Sequence, residues 1–387
     1  MSAATPAPTP STLPPPPPGP GTSTAVWIVV VIVIAAAVGG LGFYAGYEYR
    51  GSSASSPSGV VNSTLSILGA GTLTYTFPEL ASALVNETPG ISAPAAAQTY
   101  EGSLDITTAI TTLDAKADVA ALADFRLIPQ LLQPTYASYE VVFAHTQEVL
   151  IYNSSISAFN GISPSNWGQK LVNAVTSPGV PRFGVWNAST DPNGYNEIFT
   201  MMLQGQMYQG GNLSAVYGHF YSGAPGSYAT PNPSTTILEH ESQAANLIRT
   251  GVVSAVITYK PVALQNNLAY VPIDPTVGLY TNDTAALNAY AALPGTQIIS
   301  SSGALVTVHP APIFFAVTVP LNAPNPALGA AFIHLILSPV GRSILTEDNA
   351  WTPVYPGWTN NMTAVPPVLA PDVVPLPAWA APFVPSS

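Results

Sequence analysis

Three short glycine-containing turns carry most of the chemistry legible in this 387-residue chain. Gly69-Ala70-Gly71-Thr72 lets backbone N–H groups come close to a ligand and adds a hydroxyl. Glu101-Gly102-Ser103 precedes a helical pattern that starts at Leu104. Asp191-Pro192-Asn193-Gly194-Tyr195 leads into another, with Asp191 placed to cap it. A helix start leaves N–H donors unpaired and carries partial positive charge, so each turn is a potential anion site. Taken singly, each is accounted for by ordinary capping. Three of them in one chain point to an anion ligand.

Other chemistries fit less well. With no cysteine, the chain has no disulfide, thiolate metal site or Cys nucleophile. His145, His219, His240, His309 and His334 are too scattered for a motif such as HExxH. His240 lies between Glu239 and Glu241, but adjacent residues on a helix point apart. No GxSxG or Walker loop is present, and paired carboxylates are the only hint of glycoside hydrolysis. No enzyme is expected. A net charge of −11 with eight basic residues argues against nucleic acid as a partner. Charged residues make up 7% against 47% apolar, which provides ample core and excludes charge-driven disorder for most of the chain.

The elements that position these turns alternate. Strands are predicted over 64–68, 118–122, 141–144, 149–152, 183–186, 255–259 and 313–319. Helices are predicted over 77–85, 104–113, 194–208, 242–249 and 326–337. This alternation implies an α/β fold with mainly parallel sheets, whose ligands sit beyond the carboxyl ends of the strands. The folded part, 60 to about 355, is long enough for two lobes.

Taken in order, several segments resemble the substrate-binding components of ABC transporters, and most closely the archaeal tungstate/molybdate-binding proteins. The resemblance covers about residues 64–355. It rests on Ala70-Gly71-Thr72-Leu73, Gly102-Ser103, Ala117-Asp118-Val119, Ala123-Asp124-Phe125-Arg126-Leu127-Ile128-Pro129, Asn166-Trp167 and Asp191-Pro192-Asn193-Gly194-Tyr195-Asn196. RTGVVSAVITYKPVALQ, from Arg249 to Gln265, and Ala330 to Gly341 complete it. The family's Cys and Arg of the "DPCGYR" segment are Asn193 and Asn196 here. The implied fold is a two-lobed type II periplasmic-binding-protein fold, with lobe 1 at about 60–145 and 272–355 and lobe 2 at about 146–271.

The implied function is capture of tungstate or molybdate outside the cell, for delivery to an ABC permease and its cytoplasmic ATPase, with no cofactor. Binding of another oxyanion such as sulfate or phosphate, or a role as a surface adhesin, are the alternatives. The implied ligand residues are the hydroxyls of Thr72 and Ser103, Tyr259, and two carboxylates, Asp191 and Glu241. Gln243 is the competing position for the last. In relatives the two acids reach in from opposite sides of the cleft, and the same is expected here. Carboxylates suit an anion site if the bound centre is tungsten or molybdenum, which can expand from four to six oxygen ligands as sulfur and phosphorus cannot readily. They would also repel sulfate.

The ends have their own composition. Residues 1–24 form a Pro-rich tail containing Pro14 to Pro18. The stretch 25–44, AVWIVVVIVIAAAVGGLGFY, has no charge and spans about 30 Å as a helix, one bilayer core. It is expected to be a transmembrane anchor rather than a cleaved signal peptide, since it exceeds the usual apolar signal region and no cation precedes it. Residues 45–59 are a flexible linker. N-x-S/T sequons at Asn62, Asn86, Asn153, Asn187, Asn212, Asn282 and Asn361 agree with a binding domain outside the membrane. The Pro-rich segment 356–387 is expected to wrap the surface or stay loose.

Overall fold

The computed structural model describes residues 64–87, 97–300, 302–348 and 350–384. The expected membrane segment 25–44 lies outside them. Among the described residues no single helix is long and apolar enough to cross a membrane.

The chain begins with β1 (Ser66–Ala70), α1 (Thr76–Glu87), β2 (Ala97–Glu101), α2 (Ser103–Thr112), β3 (Val119–Leu122) and β4 (Val141–His145). It continues through β5 (Glu148–Tyr152), α3 (Trp167–Val175), β6 (Arg182–Trp186), α4 (Pro192–Tyr208), β7 (Tyr221–Ser222), β8 (Thr230–Pro231), β9 (Thr235–Leu238), α5 (Glu241–Arg249), β10 (Val253–Tyr259), α6 (Lys260–Gln265) and β11 (Tyr270–Pro272). The last part holds α7 (Thr284–Ala291), β12 (Thr296–Ile299), β13 (Leu305–Val308), β14 (Phe314–Thr318), α8 (Pro326–Leu337), β15 (Thr352–Thr359) and β16 (Val373–Pro375).

Two sheets result. A seven-stranded sheet has the order β16-β15-β4-β14-β3-β1-β2, and a five-stranded sheet the order β11-β5-β10-β6-β9. The chain passes from the first to the second at Thr146–Gln147, between β4 and β5. It returns between β11 and β14. In both sheets the strand reached by a crossing, β5 or β14, runs antiparallel to both neighbours. The sheets are therefore mixed rather than mainly parallel. An apolar run such as Phe314–Thr318 signals a buried strand but carries no information about its direction.

Strands β1 and β3 are buried on both faces, as their unbroken small and aliphatic runs require. On one side of the first sheet, the Phe77 ring packs on Phe143 and edge-on against Phe332, at 5.9 and 5.3 Å between centroids. Trp351 stacks edge-on to Phe315 at 4.6 Å and donates its indole N–H to Thr76 Oγ1 at 3.0 Å. Under the second sheet Trp167, Phe183 and Phe199 are fully buried.

The parallel strands decide where chemistry can occur. β1 ends at Ala70, β2 at Glu101, β6 at Trp186, β9 at Leu238 and β10 at Tyr259. Each of these carboxyl ends runs into one of the turns singled out above, or into Glu241 or Lys260. The ligand-facing edge of an α/β sheet is this one.

The C-terminal segment does not stay loose. The expected boundary at 355 falls inside β15, which pairs with β4, and β16 extends the sheet beyond it. Trp358 and Trp379 both pack on Phe314, at 4.9 and 5.5 Å, and Leu369 and Val373 are buried. The prolines fit because β16 is an edge strand and the β15–β4 register shifts between Pro353 and Trp358. A chain ended after Tyr355 should lose about 5 kcal/mol or more of stability, given the apolar side chains it would strip. A lowered urea midpoint would show this, and an unchanged midpoint would contradict the placement.

Candidate functional site

The five sequence-derived residues all lie at the seam between the two sheets. Thr72, in a short 3-10 turn after β1, is buried and donates its hydroxyl to Glu241 Oε1. Thr72 N–H also bonds this carboxyl. The acid thus occupies the donors that the Gly71–Thr72 turn would offer an anion. Ser103 begins α2, is 1% exposed, and its Oγ accepts from Ala123 N–H at 2.9 Å, leaving the hydroxyl proton free to point elsewhere. Asp191 caps α4, with Oδ1 accepting from Asn193 N–H at 2.8 Å. Tyr259 ends β10 fully buried, and its oxygen accepts from Asn196 Nδ2 at 3.0 Å. Gln243, the competing position, is exposed, and its Oε1 accepts from Glu239 N–H at 3.4 Å.

The two acids do not face each other across the seam. Asp191 follows β6 and Glu241 follows β9, which are adjacent parallel strands of the second sheet. Their helices start side by side, so both carboxyls come from one side, and Glu241 meets the Thr72 hydroxyl from the other. The expectation of acids from opposite jaws is corrected accordingly.

Two glycines explain how close the sides come. A Cβ on Gly71 would lie 2.0 Å from Glu241 Oε2, and one on Gly102 would lie 2.3 Å from the Thr190 carbonyl oxygen. Across the same seam, Leu104 N–H donates to Thr190 O at 3.0 Å, Tyr195 OH to Asp124 Oδ2 at 2.7 Å, and Gln265 Nε2 to Thr76 Oγ1 at 3.1 Å. A cavity of about 670 Å³ opens beside the seam; Asp105, Leu131, Thr190, Ile299 and Val306 are among its walls, and Asp191 and Glu241 are not.

Charge balance is the site's unusual property. Arg126 and Asp124 form a buried pair at 2.6 Å, and Arg126 Nη1 also donates to His309 O. The only other ion pair among the described residues joins His334 and Asp372. Among the described residues, no cation accompanies Asp191 and Glu241. Burial first, then Asp105 and Glu239, push the Asp191 carboxyl up to about 7. Burial, with Asp191 beside it, holds Glu241 well above the usual carboxylate range. Among the described residues, no group of three or more His, Asp or Glu is placed to hold a metal ion.

Several polar groups here were not singled out as site residues. Asn193 sits behind Asp191, giving Nδ2 to Thr258 Oγ1 at 3.1 Å, while its Oδ1 is buried without a partner. Asn193 and Asn196, three apart at the start of α4, share a helix face, which was the available signal. Glu148 and Glu197 are buried acids near the same place. Their signal was an acid directly before an apolar run, VLIY after Glu148 and IF after Glu197.

These acids set a pH dependence. Asp191, Glu241, Glu148, Glu197 and Glu140 are all shifted upward, chiefly by burial. The unfolded chain ionises them from about pH 4 upward while the folded chain does not, so stability is lost as pH rises through neutrality. His145, pushed down to about 4 by burial between Tyr280 and Phe314, works the other way. Five acids outweigh one imidazole. The melting temperature should therefore be several degrees higher at pH 5 than at pH 8. A maximum at or above pH 8 would contradict this.

A family model of bacterial extracellular solute-binding proteins matches residues 65–348. The chain is 27% identical over 282 residues to an uncharacterised solute-binding protein of Petrotoga mobilis, covering 73% of this chain and 81% of that one. It is 28% identical over 261 residues to a molybdate/tungstate-binding protein of Pyrococcus abyssi, covering 64% and 72%. The substrate-binding protein of an ABC transporter from Agrobacterium tumefaciens superposes with a TM-score of 0.50 at 13% identity, over 82% of this chain and 89% of that one, a likeness of fold. Two mixed sheets joined by crossings, with polar turns gathered at the carboxyl ends of their parallel strands, suit such a binder, and this chain belongs to the bacterial extracellular solute-binding protein family.

Proposed function

We propose that this protein captures tungstate or molybdate outside the cell and delivers it to an ABC permease driven by a cytoplasmic ATPase. It is a binder and not a catalyst. Residues 25–44 hold it to the membrane, a reading supported by their uncharged run. The two sheets act as lobes that close on the ligand.

One observation carries the choice of ligand: two buried carboxyls, Asp191 and Glu241, lie together among hydroxyl and amide donors, with no cation beside them among the described residues. A site for sulfate or phosphate gains nothing from such acids, which repel the dianion. A tungsten or molybdenum centre can accept carboxylate oxygens as fifth and sixth ligands, so here the acids attract. Thr72, now bonded to Glu241, would turn its hydroxyl to an oxyanion oxygen, and Ser103 would do the same from α2. Kinship with the Pyrococcus abyssi protein supports this ligand class.

Micromolar tungstate or molybdate should raise the melting temperature, and sulfate at the same concentration should not. Asp191→Asn and Glu241→Gln keep the shape of each side chain, and each should weaken tungstate at least about thirtyfold, roughly 2 kcal/mol, without loss of folding. An equal response to sulfate would make the site a general oxyanion binder. No response to any oxyanion would favour a surface adhesin.

A further inference from the structure

Asp191 and Glu241 have an acidic neighbour that the binding scheme leaves unused. Glu148 opens β5, is fully buried, and stands opposite Tyr259 in the antiparallel β5–β10 ladder. Neither of its carboxyl oxygens has a hydrogen-bond partner. The charged groups that bear on it are acids: Glu197 on α4, Asp191 at the α4 cap, and Glu241 at the start of α5. Glu197 is better served, accepting from Trp186 N–H and from Tyr221 OH. From β10 the facing titratable group is Tyr259. Asp274 lies on the loop whose Gly278 carbonyl accepts Glu148 N–H, but its own carboxyl is engaged by Thr276 and Val277 N–H. Lys260 is the only cation on the elements packed against β5. It is half-buried and takes part in neither ion pair of the described residues. Arg249, at the far end of α5, donates to Asn266 O.

A carboxylate in this position would be desolvated, unpaired and surrounded by like charge, so the group keeps its proton. A protonated Glu148 is then a buried donor without an acceptor, next to a place where an oxyanion would bring acceptor oxygens and negative charge. We propose that Glu148 is a positioning residue that retains its proton through ligand capture, so that the incoming dianion meets a neutral acid beside Asp191 and Glu241 and not a third carboxylate. This rests on the oxyanion reading of the site. Its consequence is proton-linked binding, with affinity falling on the alkaline side as Glu148 ionises.

Glu148→Gln keeps the shape and a donor but cannot ionise. Two profiles from pH 6 to 9 test the assignment: the tungstate Kd, and the melting temperature without ligand. Wild type should lose at least about tenfold more affinity across that range than Glu148→Gln, and its melting temperature should fall more steeply. Glu148→Met, neutral and of similar length, should flatten both profiles in the same way and serves if the Gln variant does not fold. Parallel profiles for wild type and variant would overturn the proposal. Wild type that binds no oxyanion at pH 6 sinks the oxyanion reading instead, and the ligand-free melting profile then decides alone whether Glu148 holds a proton.

Discussion

Asp191 and Glu241 lie within each other's field at the carboxyl ends of adjacent strands, shut away from water and, among the described residues, from any cation. Charge so placed is unfavourable unless protons or a guest neutralise it. Around this constraint the seam is built tightly. Gly71 and Gly102 have no side chains because Glu241 and the Thr190 carbonyl fill the space. Glu241 takes up the donors of the Gly71–Thr72 turn, and Asn193 braces the cap of α4. On the proposed reading, a metal-centred oxyanion would add an electrophile for the acids and acceptors for the hydroxyls. One guest would thereby satisfy both groups.

The fold serves this placement. Two crossings divide the parallel strands between two sheets, yet each set delivers its carboxyl ends to the same seam. Hydroxyls arrive from the first sheet and acids from the second. On the proposed reading, closure of one layer on the other would complete the site, and separation would dismantle it. Bonds such as Tyr195 to Asp124 and Gln265 to Thr76 hold the layers together away from the acids.

Much of this was legible in the chain. The Gly-containing turns and the helices behind them follow from local chemistry, and Glu241 was reached through its position before the Arg249–Gln265 segment. Four things were not legible, each for a physical reason. Strand direction is absent from an apolar run, so β5 and β14 were read without their antiparallel sense. The side from which Glu241 approaches depends on β9 pairing with β6, a contact no local pattern encodes. The proline content after 355 resembled a loose tail, but Trp358, Leu369 and Trp379 supply enough apolar surface to dock it, and an edge strand tolerates the prolines. Glu148 was passed over because its depth is set by Tyr259, far along the chain.

X-ray absorption at the tungsten edge of the tungstate complex measures the central claim directly, by counting oxygen neighbours of the metal. The account expects six, with the number falling toward four in Asp191→Asn and Glu241→Gln. A tetrahedral centre with four oxygens in the wild-type complex would contradict it.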